Sequence, residues 1–280
     1  MKTKVLADST CDLSKEIVEK FNVGIIPLTV IKDGKQYLDN VTITPAEIFA
    51  HVAAGGDLCS TTAVSIGEYQ DFFAPYAQEN DAVVHVNLGS GFSSSHQNAC
   101  LAAEEFDNVY VIDSQNLSTG QGLVVLEACR LAETATDMNA MVQELKQFTT
   151  RVEASFLVDK LTYLVRGGRC SSAKALGANL LNLKPCIEVK DGKMIVGKKY
   201  RGNFIKSLPA YVKDRLEGRE DLDKTTIFIT NTPVDSDCYA AVETAVETYG
   251  HFENVYKTTA GCTVSCHCGP GTLGIIFVRK

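Results

Sequence analysis

AVVHVNLGSGFSSSHQNACLAA, residues 82–103, carries the pattern that decides the fold. The β-branched run from Ala82 reads as a strand, the glycines and hydroxyls from Gly89 to Ser95 as a tight loop, and SHQNACLAA as a helix. The same order recurs. KVLA ending at Ala7 is followed by Asp8-Ser9-Thr10, VYVI from Val109 by Asp113-Ser114, and Ser60-Thr61-Thr62 stands just before a helix opened by Ser65 and Glu68. Strands alternating with helices predict an α/β protein whose sheets are mainly parallel and flanked by helices. In such sheets ligands sit beyond the carboxyl ends of the strands. The hydroxyls of Thr61, Thr62, Ser93, Ser94 and Ser114 are therefore expected to converge there.

Further strands are expected at SFLV from Ser155, TIFI from Thr226 and IIFV from Ile275. Thr44-Pro45 with Glu47, and Ser65 with Glu68, have the reciprocal hydroxyl and glutamate form that starts a helix. VIKDGKQY from Val30 and EVKDGKMI from Glu188 each carry an Asp-Gly turn between β-prone residues, the strongest short-range hairpin signal. Each half thus owns one hairpin, and a helical stretch, residues 138–152, ends just before a new strand. This predicts an N-terminal α/β domain over 1–153 and a C-terminal α/β domain over 154–280.

Composition narrows the function. Of 280 residues, 45% are hydrophobic and 22% charged, a globular balance. The 27 basic and 34 acidic residues give a net charge of −7, so the basic footprint of a nucleic-acid binder is missing. Apolar runs such as GLVVLEACRLA carry charges and fall short of the ~20 residues that span a membrane, so no stable insertion is expected. The start MKTKVLADST has no extended apolar segment of the signal-peptide kind, which favours the cytoplasm. Most of the ten cysteines sit singly in apolar stretches and read as small buried side chains of a reducing compartment. Cys262, Cys266, His267 and Cys268 form the one cluster, and its spacing matches no usual zinc pattern, so no metal is expected.

The loop from Gly89 to Ser95 runs into a helix start, where free N–H groups and the helix dipole favour an anion. Gly89 and Gly91 let the backbone approach closely. The second half offers cations: TYLVRGGR, residues 162–169, holds Arg166 and Arg169 around a glycine pair, and arginine suits a forked grip on a carboxylate. His267, in CHCGPGTLG, is the other polar candidate.

Taken together, ADSTCDL at 7–13, Thr61-Thr62 with SIGE at 65–68, SGFS at 90–93 with Gln97, VIDS at 111–114 with STGQG, LTYLVRGGR at 161–169, Leu176-Gly177, Lys184-Pro185 and HCGPGTLG at 267–274 resemble the DegV family over nearly the whole chain. The resemblance implies two α/β domains with one long-chain fatty acid between them, such as palmitate, stearate or oleate. By motif position, Thr61 and Ser93 hold its carboxylate, with Arg169 and His267 near the head group. It also implies a carrier without cofactor or chemistry of its own that presents the acid to a separate ATP-dependent fatty acid kinase for phospholipid synthesis. Leu164, Leu176, Leu180, Leu181 and Leu183 are candidates for the tail's wall. The family's SGLSGTY run reads SGFSSSH here, and its Gln-Pro after the threonines reads Ala63-Val64.

Two other readings remain. GFSSS, residues 91–95, is one glycine short of a hydrolase elbow, so Ser93 could serve as the nucleophile of a serine hydrolase acting on a lipid or ester, with His267 as base. Gly269, Gly271 and Gly274 spell a dinucleotide fingerprint, but they precede a strand instead of following one.

Overall fold

The computed structural model describes residues 1–174, 176 and 183–280. Strands β1 (Thr3–Asp8), β2 (Gly24–Ile26), β6 (Ala82–Asn87) and β7 (Val109–Asp113) form one sheet in the order β2-β1-β6-β7, parallel throughout. Every residue of β6 is buried, as expected of a central parallel strand covered on both faces. Ala82, Val84 and Val86 enter one core cluster and Val83 another, the period-two alternation of a strand. His85 packs edge-on against Tyr69 and Phe73, and burial pushes its imidazole down to about 3.

A second sheet, in the order β10-β9-β8-β13-β11-β12, comprises β8 (Val152–Val158), β9 (Leu183–Lys190), β10 (Lys193–Arg201), β11 (Leu222–Asn231), β12 (Asn254–Thr259) and β13 (Thr272–Arg279). The α/β class and the parallel first sheet agree with the sequence reading, but this second sheet departs from the mainly parallel one expected. Only β11 and β12 run parallel; the other four pairings are antiparallel. Two causes are visible. The β9–β10 connection is a two-residue turn, which can join only antiparallel strands. The last strand, β13, inserts between β8 and β11 against the direction of both. Both Asp-Gly turns have positive φ at each central residue, 50° and 71° at Asp33 and Gly34, 50° and 68° at Asp191 and Gly192. That is the type I′ geometry suited to strand twist.

The first hairpin, β3 (Thr29–Lys32) and β4 (Lys35–Leu38), joins neither sheet; with β5 (Ser60–Thr62) it makes a small third one. Helices α1 (Lys15–Lys20), α2 (Pro45–Ala53), α3 (Ile66–Glu79), α4 (Ser95–Ala103), α5 (Thr119–Ala132) and α6 (Met138–Thr149) belong to the first half. The second half adds α7 (Thr162–Gly167), α8 (Ser171–Lys174), α9 (Phe204–Leu216), α10 (Ser236–Tyr249) and α11 (Cys262–Cys268). Both predicted capping boxes are present, on α2 and α3. Helix α5 is buried without a break from Thr119 to Val125, because it lies between β1 and β6 of one sheet and β8 and β13 of the other.

Helix α11 ties the halves together. The Asp39 carboxylate accepts the N–H groups of Cys262 (2.7 Å) and Thr263 (3.2 Å) and the Ser9 hydroxyl (2.9 Å). Asp12 accepts the Gly261 N–H (2.8 Å) and the Ser118 hydroxyl (2.5 Å). A Cβ on Gly261 would stand within 3.2 Å of Asn40, Asp12 and Asp39 together, so only glycine lets the helix come this close. Cys262 and Cys266 pack with Cys59, Val30, Ile43 and Ile48, while Cys268 enters the core beside Val264. The cysteine cluster is thus packing: all ten thiols are free, and burial pushes that of Cys262 up to about 12.

Removing the Asp39 carboxylate strands two helix N–H donors and a buried hydroxyl. Asp39→Ala is expected to cost about 2–4 kcal/mol in denaturant unfolding; a loss below about 1 kcal/mol, the scale of an ordinary surface change, would mean the helix is held by something else.

Candidate ligand site

A cavity of about 50 Å³ lies where β5, the loop after β6, the loop after α7 and α11 meet. Thr61, Thr62, Ser93, Arg169 and His267 line it, beside Leu28, Leu88, Phe92, Leu117, Met194 and Val264. Thr61 reaches it because β5 pairs with β3, Thr61 opposite Val30. Ser93 reaches it because buried Asp8, at the end of β1, accepts the Leu88 N–H (2.7 Å) and fixes the loop that follows β6. Burial raises the Asp8 carboxyl above its ordinary range against these bonds. Ser93 Oγ accepts the Ser95 N–H (3.1 Å) and lies 3.0 Å from Ser95 Oγ.

His267 sits in the last turn of α11, with Nε2 2.9 Å from Thr61 Oγ1. Its Nδ1 is buried and, among the described residues, without a partner; it lies over Gly167, where a Cβ would come within 2.6 Å of it. Burial, and then the charge of Arg169, push the imidazole down to about 4. In the neutral ring, the less costly arrangement leaves a bare lone pair at the orphan Nδ1 and puts the proton on Nε2. Nε2–H then donates to Thr61 Oγ1, and the Thr61 O–H is free to donate into the cavity. Arg169, just after the left-handed Gly168 (φ 72°) that ends α7, donates to Gly167 O (2.8 Å) and more weakly to Phe92 O (3.4 Å). Among the described residues it makes no ion pair.

Several expected residues stand elsewhere. Ser94 is exposed at the start of α4 and makes no cap bond. Ser114 is fully buried and spends its hydroxyl on Asn116, donating to the carbonyl (3.1 Å) and accepting the N–H (3.2 Å), a closed local turn. Gly91 is close to backbone rather than to the cavity: a Cβ there would lie 2.1 Å from Gly192 O, at the tip of the β9–β10 hairpin. Arg166 is exposed and off the cavity wall. Leu164 lies in the core alongside, with Leu176 packed against that core; Leu183 opens β9 away from the cavity. Gly177, Leu180 and Leu181 lie outside the described residues.

Sequence reasoning missed Thr263, 5% exposed, whose hydroxyl has no partner at the cavity wall, and Leu117, Met194 and Val264. No local signal marks them, because tertiary packing alone brings them here. It also missed a second cavity of about 40 Å³ between the start of α5 and the second sheet. The two cavities share Leu117, Val264 and Cys268 as a common wall. The second is lined deeper in by Ala154, Phe156, Val189 and Ile276. A polar end thus adjoins an apolar one.

The arrangement suits anion binding better than nucleophilic catalysis. A serine triad needs the base on the nucleophile and a carboxylate on the base's other nitrogen. Here Nε2 engages Thr61, and among the described residues Nδ1 meets no carboxylate. No three His, Cys, Asp or Glu side chains among the described residues are grouped as metal ligands. No helix in that set is long and apolar enough to cross a membrane.

A family profile described as "Uncharacterised protein, DegV family" matches residues 2–280. A DegV domain-containing protein of Clostridium acetobutylicum is 31% identical over 281 residues, covering 100% of this chain and 99% of the relative. Among solved structures, one described as fatty acid binding of a DegV family protein from Thermus thermophilus superposes with a TM-score of 0.90 at 31% identity, covering 100% of both chains. DegV from Bacillus subtilis, described as a fatty acid binding protein, gives 0.82 at 27%, again over 100% of both. A stearic acid-binding protein from Eubacterium ventriosum gives 0.84 at 25%, covering 99% of this chain and 98% of the other.

The His267 ring should stay neutral until the pH falls to about 4. Its folded pKa lies below the ordinary value, so the stability it contributes is present above about pH 6.5 and is lost as pH falls toward 4. Imidazole NMR shifts check this: a His267 ring titrating near 6.5 would show that the site is wet.

Proposed function

The chain belongs to the DegV family, and from that premise we propose that it binds one long-chain fatty acid, carboxylate in the first cavity and tail in the second. The observation that carries this reading is the juncture of the two: Thr61, Ser93 and Arg169 bring hydrogen-bond donors to one wall, and beyond Leu117 and Val264 the lining turns apolar. Relatives described as fatty acid binding share the fold over their full length. Each methylene removed from water contributes ~0.8 kcal/mol before the costs of association, so affinity grows with the length of tail for which the cavities, about 50 and 40 Å³, widen. The tail supplies affinity; the hydroxyls and the guanidinium set its direction.

The protein acts as a cytoplasmic carrier without chemistry of its own. Ser93 is only half-buried and Arg169 exposed, so a carboxylate held between them stays within reach of a second protein. That supports presentation to a separate ATP-dependent fatty acid kinase, consistent with the absence of any G-x-x-x-x-G-K-[ST] phosphate loop from the sequence. In this division of labour the N-terminal domain, 1–153, supplies the hydroxyls, and the C-terminal domain, 154–280, supplies Arg169, His267 and most of the tail's wall.

Native mass spectrometry of protein purified from a bacterial host, followed by denaturing extraction, should release about one fatty acid per chain; a clean unliganded mass that also fails to take up palmitate would refute the carrier reading. Thr61→Ala combined with Ser93→Ala should leave the fold intact and weaken palmitate by about tenfold or more, since hydrogen bonds to a charged group are worth about 1.5–3 kcal/mol each. Unchanged affinity in the double variant would remove the head-group assignment.

A further inference from the structure

The second cavity is closed at its far side by two strands of known register. Gly274 pairs with Phe156, Ile276 with Ala154, and Val278 with Val152. Phe156, Gly274, Ala154 and Ile276 line the cavity. One pair further, Val152 and Val278 no longer line it and stand in the core with Ala128 and Phe148. The cavity therefore stops at the Ala154–Ile276 pair, and the side-chain volume there decides how deep it reaches.

The hydroxyls that line it are spent within the protein. Ser118 donates to Asp12; Thr230 bonds Thr119 (2.6 Å) and Thr258 (2.9 Å). Thr272 donates to Cys268 O (3.1 Å), Thr232 accepts the Thr272 N–H (3.0 Å), and the Asn231 amide donates to Thr232 O (2.7 Å). A polar group at the Ala154–Ile276 end would lose its water, and the one amide N–H left over, on Asn231, lies beside Leu273 away from that end, a cost no apolar group bears.

Resting on the fatty acid reading above, we propose that Ala154 and Ile276 set the length of acyl chain accepted, and that the chain's far end must be unsubstituted hydrocarbon. Ala154→Leu places a larger side chain in the space taken by the last carbons. Each methylene kept out of the cavity lowers affinity about fourfold.

The test is calorimetric titration of the full-length protein and its variants with lauric, palmitic and stearic acids and with hexadecanedioic acid. Ala154→Leu should weaken palmitate and stearate by about tenfold or more while changing laurate by about threefold or less. Ile276→Val, which removes one methylene and keeps the core, should raise the stearate-to-palmitate affinity ratio, and it serves where Ala154→Leu does not fold by its thermal melt. The diacid should bind the unsubstituted protein about tenfold or more weaker than palmitate. An unchanged length profile in a folded variant, or diacid binding equal to palmitate, overturns the gauge and leaves the fatty acid reading standing. Failure of the unsubstituted protein to bind any of the monoacids overturns that reading itself.

Discussion

The grip of Asp12 and Asp39 on the start of α11 is the constraint on which the site depends. Both acids come from the first half of the chain, and the helix comes from near its end. Without side-chain caps of its own, α11 relies on these carboxylates for its first N–H groups. Its opposite end carries His267, so the clamp that starts the helix also decides where the imidazole ends up, 2.9 Å from Thr61. Burial holds the Asp12 carboxyl well above its usual range, with Ser118 and Gly261 pulling the other way. The geometry thus carries an electrostatic cost that packing of the cysteine-lined cluster around α11 has to offset.

That arrangement leaves the first cavity with neutral donors around one cation. The dry environment that lowers the His267 pKa would penalise any buried positive charge, the more so beside Arg169. A neutral imidazole still contributes by orienting the Thr61 hydroxyl toward the cavity. Carboxylate recognition then needs no buried lysine, and the guanidinium can sit at the exposed rim, where its own desolvation is small.

What the sequence made legible was local. Capping boxes at Thr44 and Ser65 and the two Asp-Gly hairpins depend on residues within four positions of one another, and all four are present. Strand positions were legible from β-branched runs, and Thr61, Ser93, Arg169 and His267 do share one cavity. Partnerships over long separations were not. Nothing near Ile275 tells that β13 will insert antiparallel beside β8, and nothing near Gly91 tells that its missing side chain makes room for Gly192 O. Asp8-Ser9-Thr10 stood out for its hydroxyls, and Thr10 does line the first cavity, yet the acids around it hold the architecture: Asp8 fixes the Ser93 loop and Asp12 holds Gly261.

The inserted β13 also shapes the second cavity. A sheet completed by its last strand in the middle has its most buried positions at that strand, and seven of the eight residues of β13 are buried. Covering this strand and β8 with α5, instead of with a helix of the second half, makes the interface between the halves a hydrocarbon interior rather than a polar seam. Apolar packing between two layers is where a chain of methylenes replaces side-chain contacts at least cost, since dispersion and dehydration reward both alike. Thr230 illustrates the local solution: its hydroxyl is spent within the Thr119–Thr258 ladder, so the residue can border an apolar cavity without leaving a polar atom unpaired. On the reading proposed above, the head group is the part of a fatty acid that meets the polar wall, and this one-ended polarity would fix its orientation.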